Sequence, residues 1–115
     1  MSESREIGRF RDGVFIRART TRPVVRPGAE RQTFLMEAAR VLGVGVDSLD
    51  LDAPILARYG ADELDLYECV QYAEDVWAVQ LTPTRMTTRE FEAALKPFGT
   101  LRAIVSAAEA AARAR

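Results

Sequence analysis

The sequence predicts an all-α domain: a small four-helix bundle with a long loop between its first and second helices, preceded by a basic extension. Three observations lead there. Apolar residues recur at helical spacing in four stretches after residue 28. Asp62, Thr87 and Thr100 stand where the last three stretches need a capping oxygen. The period-two alternation of the chain lies in its first 28 residues. The chain therefore divides into an arm, 1–28, and a helical body, 29–113.

The arm is the basic part. Residues 1–31 hold eight arginines against four acids, Glu3, Glu6, Asp12 and Glu30, whereas 32–115 hold eight basic and thirteen acidic groups. Such an arm either folds back on the acidic body or reaches an anionic partner such as nucleic acid. Val14, Ile16 and Ala18 alternate with Phe15, Arg17 and Arg19, a pattern that permits a short strand. A lone hairpin is marginal in water, so this one needs the body or a second chain to pair with.

The first helix is predicted over 29–42, with Phe34, Leu35, Ala38, Val41 and Leu42 on one face and Gly43 as the stop. The stretch 44–59 reads as an irregular loop, with Asp47, Asp50, Asp52 and Pro54 as turn formers and Leu49, Leu51, Ile55 and Leu56 pinning it to the core. Asp62 then caps a second helix, favoured by Glu63 and Asp65 at the positive end of its dipole. Leu66, Cys69, Val70, Ala73 and Trp77 form its inward stripe, and Glu68, Gln71, Glu74 and Asp75 are expected off that stripe. Thr87 and Glu90 make a capping box for a short helix with Phe91, Ala94 and Leu95 inward. After Lys96-Pro97-Phe98-Gly99, Thr100 caps the last helix, whose stripe is Leu101, Ile104, Val105, Ala108 and Ala112. Trp77 and Phe98 are expected in the core.

Composition narrows the chemistry. Histidine is absent from the 115 residues, which removes Ser-His-Asp and Cys-His nucleophile activation, imidazole metal sites and a His general base. Cys69 is the single cysteine, and it reads as a small hydrophobe in a reducing compartment. No apolar run approaches the ~20 residues that cross a bilayer. The first residues lack the apolar stretch of a secretory signal, so a cytoplasmic location is expected. Gly43-Val44-Gly45 lacks the Lys-Ser/Thr of a phosphate loop. No metal spacing and no catalytic constellation stands out, and the chain is expected not to be an enzyme.

The order of these parts, and above all Gly60-Ala61-Asp62-Glu63-Leu64-Asp65 followed by an amphipathic acidic helix, Trp77, Leu81 and Pro83, resembles an acyl carrier protein over about 32–108. The string agrees with the family's G-A/x-D-S-L-D motif at five of six positions. The departure falls on the functional atom. In the family a serine follows the aspartate and receives phosphopantetheine; here that position is Glu63, whose carboxylate has no hydroxyl to form the phosphodiester. Ser48, Ser106 and Tyr67 stand elsewhere in the chain, so phosphopantetheine is not expected as a cofactor.

What the resemblance implies is a docking strip on the second helix for a protein partner with a basic patch, such as a fatty-acid or polyketide-type enzyme. The matching positions are Asp62, Leu64, Asp65, Tyr67, Glu68, Glu74 and Asp75. The same acids also suit the solvated face of an amphipathic helix, and Leu64 and Tyr67 suit packing under the loop as well as partner contact. Glu63 stabilises a helix start by its charge, and it also imitates crudely the phosphate of a modified serine. The functional expectation is a non-enzymatic carrier-like domain, a monomer or weak dimer, that docks through the acidic face of its second helix. Three alternatives stay open: an atypical carrier that uses another residue or holds its cargo without a covalent bond, nucleic-acid binding through the arginine-rich arm, and, with the least behind it, an enzyme.

Overall fold

The structure is a computed structural model that describes residues 8–17 and 23–115. In chain order, β1 spans Gly8–Arg11, β2 Val14–Arg17, α1 Glu30–Leu42, α2 Ile55–Tyr59, α3 Glu63–Trp77, β3 Arg85–Thr87, α4 Thr88–Leu95 and α5 Leu101–Arg113. Two 3-10 turns, Val46–Ser48 and Lys96–Phe98, complete the described elements.

This is a mixed α/β fold, and it corrects the all-α four-helix bundle expected from the sequence. Among the described residues, five α-helices pack with a three-stranded antiparallel sheet in the order β1-β2-β3. The hairpin is made by Asp12 and Gly13, which both take positive φ, 51° and 75°, as a two-residue type I′ turn between right-twisted strands requires. Arg11 then pairs with Val14 and Gly8 with Arg17. Gly8 cannot carry a side chain: its φ is +150°, and a Cβ would fall 2.5 Å from the Phe15 ring and 2.6 Å from the Ile16 carbonyl oxygen. The hairpin finds its third strand far along the chain, where Phe15 pairs with Met86 and Ile16 with Arg85. A strand of three residues ahead of a capping box leaves almost no periodic signal, so β3 was hidden inside what reads as a turn.

The reason the hairpin folds onto the body is Phe15. It is fully buried, with its ring centroid 4.8 Å from those of Tyr67 and Phe91. Phe10 extends the cluster at 5.1 Å from Phe15 and 5.3 Å from Phe91. Of the alternating residues in β2, Phe15 and Arg17 therefore face the body, while Ile16 is exposed. Ala18 and Arg19 lie outside the described residues.

The helical expectations hold in outline. α1 ends at Gly43 in the left-handed region, φ 71°, and α4 carries the Thr87–Glu90 capping box. The Thr100 hydroxyl accepts from the Ala103 N–H at the head of α5. α1, α4 and α5 all pack on α3, which forms the central rod. Trp77 and Phe98 are in the core.

The loop 44–59 is more regular than expected, because Pro54 and Gly60 bracket the five-residue α2. Its backbone is stitched to the start of α5: Ile55 N–H donates to Gly99 O at 2.9 Å and Arg102 N–H to Leu51 O at 2.9 Å. Ile55 is buried, but Leu56 is exposed rather than a pin. No helix among the described residues is long and apolar enough to cross a membrane.

Candidate functional site

The N-terminal end of α3 is where chemistry-bearing residues converge. Asp62 caps the helix: its Oδ1 accepts from the Asp65 N–H at 2.8 Å, and Asp65 Oδ2 accepts from the Asp62 N–H at 3.1 Å. Both carboxylates are thus partly committed to holding the helix start. Glu63 follows at the first helical position and is exposed, as is Leu64 at 44%.

Two grooves meet at Glu63. One, of about 410 Å³, is lined by Pro54, Ile55 and Leu56 of the α2 region, Leu66 of α3, Leu95 of α4, and the charged Glu63, Glu92 and Lys96. The other, of about 450 Å³, is lined by Phe10 of β1, Asp62, Glu63 and Leu64, and Thr88 and Phe91 of α4. The first exists because α2 is held against the α4–α5 junction; the second exists only because the hairpin brings Phe10 over Phe91. Leu56, Leu64 and Phe10, all exposed by more than two-fifths, border this one acidic point.

The far end of α3 is a different environment. Glu74 is 2% exposed. Its Oε2 accepts from the Leu81 N–H at 2.6 Å, the Thr82 N–H at 2.9 Å and the Thr82 hydroxyl at 3.2 Å, while Oε1 meets the Arg17 guanidinium. A carboxylate removed from water needs such partners, and here they tie β2 and the 78–84 turn to the helix. Gln71 and Asp75 are buried as well.

The predicted strip on α3 therefore does not form one surface. Asp62 and Leu64 are exposed and Asp65 is half-buried, all three at the helix start beside Glu63. Glu68 is mostly covered and ion-paired with Arg40 at 3.7 Å. Tyr67, Glu74 and Asp75 are buried; Phe15 of the hairpin packs on Tyr67 and Arg17 pairs with Glu74, covering a face that a four-helix arrangement would leave to solvent. Burial also pushes the Tyr67 hydroxyl above its ordinary pKa. The Cys69 thiol, on the inward stripe, is pushed up to about 12 by burial, with the Glu68 and Asp65 charges adding to the effect. A thiol so held is not a nucleophile at neutral pH.

Phe10, Thr88, Glu92 and Lys96 belong to the site and were not read from the sequence. Asp12-Gly13 was the available signal for Phe10, since that dipeptide fixes which strand residues face each other. For Thr88, Glu92 and Lys96 no local pattern existed.

The phosphopantetheine group that the sequence resemblance implies does not fit these residues. The position that would carry it is an exposed carboxylate, and Thr88, the one hydroxyl residue among the described residues lining either groove, has its Oγ1 on the Gly13 carbonyl at 3.5 Å. No group of three or more His, Cys, Asp or Glu among the described residues is arranged to hold a metal ion. Compared with family models, characterised proteins and solved structures, the chain matches none.

Proposed function

We propose that the protein is a non-enzymatic docking module, similar to an acyl carrier protein in its motif, that acts without an attached phosphopantetheine. Its contact surface is the start of α3, with Asp62, Glu63, Leu64 and Asp65 at the centre. The observation that carries the reading is the juxtaposition at Glu63: a carboxylate at the attachment position, exposed, with an apolar groove on either side. An apolar surface edged by charge is the pattern of a recognition site in which charge steers the encounter and buried side chains hold it. The partner is a protein with a basic patch, and fatty-acid or polyketide-type enzymes are the class that the resemblance suggests.

The test is charge and shape reversal at exposed positions. Glu63→Lys combined with Leu64→Ala leaves the capping box and the core untouched, and it abolishes capture of the partner that the wild-type protein retains from native lysate. Capture unchanged by the pair sinks the reading. A companion variant, Glu63→Ser, restores the six-residue motif. With a phosphopantetheinyl transferase it gains a phosphopantetheine-sized mass, while the wild type does not; a modified wild type overturns the assignment.

One observation favours a second reading. The 410 Å³ groove is mostly apolar, and such a groove suits an acyl group held without a covalent bond. Saturable displacement of a fluorescent fatty acid, lost in Leu56→Asp, supports it; an equal signal from that variant removes it. Nucleic-acid binding by the arm draws less support, since Arg17 of the arm is engaged by Glu74.

A further inference from the structure

We infer that the slot between β1 and the start of α3 takes an arginine side chain presented by the partner. The inference rests on the docking reading above and names the chemistry that reading leaves open. The slot has one aromatic wall and one acidic wall. Phe10 is 43% exposed, and its ring is fixed by contacts with Phe15 and Phe91 at centroid distances of 5.1 and 5.3 Å. From α3 the lining takes Asp62, Glu63 and Leu64.

Each wall selects for the same group. A phenyl face attracts a cation, and a guanidinium more often than an ammonium, because its plane stacks on the ring and is weakly hydrated. A carboxylate accepts from a guanidinium through two parallel N–H groups. Asp62 spends Oδ1 on the Asp65 N–H, while Glu63 caps nothing. The arginine's methylene stem lies along Leu64, covering apolar surface that is otherwise wet. The local charge agrees, since among the described residues the groove lining carries two carboxylates and no basic side chain. The hairpin is the element that makes the slot, so the arm serves recognition through Phe10 rather than through its arginines.

The probe is an acetylated Leu-Arg-Leu tripeptide amide titrated into the full chain and followed by amide NMR shifts. Its citrulline counterpart, equal in shape but uncharged, is the control. Saturable shifts at Phe10, Leu64 and Thr88 that weaken on the order of tenfold with citrulline support the inference. Phe10→Leu keeps apolar packing without the ring, and Glu63→Gln keeps the side-chain shape without the charge and leaves the Asp62 cap in place; each weakens binding several-fold. No saturable shift at those amides, or equal affinity for the citrulline peptide, overturns the inference. So does affinity that both variants leave unchanged. Shifts confined to Leu56 and Leu95 also overturn it, and there the docking reading survives through the other groove. Failure of that reading registers separately, as partner capture that survives Glu63→Lys with Leu64→Ala.

Discussion

The two ends of α3 carry the same residue type and do opposite work. At the start, Asp62, Glu63 and Asp65 stand at the surface, two of them holding the cap and one exposed between two grooves. Toward the end, Glu74 is sealed under β2 and the 78–84 turn with each of its oxygens engaged. An acid on an amphipathic helix is thus a recognition charge or a structural linchpin according to what lands on it. Here the hairpin decides, because it covers one end of the face and builds a wall beside the other.

That contrast can be broken by mutation. The largest expected effect is at the hairpin anchor: Phe15→Ala empties a fully buried site and costs about 3–5 kcal/mol in chemical denaturation. A smaller loss, below about 1 kcal/mol, would mean that the hairpin is an appendage. Glu74→Ala leaves Arg17 and the Leu81 and Thr82 donors without their acceptor and is expected to cost about 3 kcal/mol. The matching change at the other end, Glu63→Ala, removes only a dipole contact and costs less than about 1 kcal/mol. Equal losses at the two positions would erase the distinction between the ends.

The helix termini sharpen it further. Asp62→Ala removes the cap and is expected to cost about 1 kcal/mol. At the opposite terminus Ala78 sits in the left-handed region, φ 56°, where a β-carbon is strained. Ala78→Gly is expected to raise stability by up to about 1 kcal/mol, read from the same denaturation midpoint.

The smallest effect is on pH dependence. The Thr87 backbone N–H, with its hydroxyl second, holds the Glu90 carboxyl below its ordinary pKa. A lowered folded value means that this contribution is present above the unfolded pKa of about 4.3 and is lost as pH falls through the folded one. Asp52 behaves alike through its hydrogen bond from Arg102. Stability of Glu90→Gln should therefore fall less between neutral and acidic pH than that of the wild type. Parallel curves would show that the capping box is not charge-dependent.

Much of the helical framework was legible because its signals are local. The stripe Leu66, Cys69, Val70, Ala73 and Trp77 is buried as its spacing requires, and all three predicted caps, Asp62, Thr87 and Thr100, accept the hydrogen bonds expected of them. Glu63 could be placed at a helix start for the same reason. Tyr67, Glu74 and Asp75 could not be placed, since helical periodicity assigns one inward face and α3 has two.

The sequence by itself determined about where α1, α3, α4 and α5 begin and end, one inward stripe on each, and that no histidine chemistry is available. Those properties depend on residues within a turn or two of one another. Only the tertiary structure decided that a hairpin near one terminus would pair with three residues near the other, bury Phe15 and Glu74, and set Phe10 beside Glu63. Long-range pairing depends on the shape and burial offered by a distant surface, and neither is written in the spacing of the residues that use it.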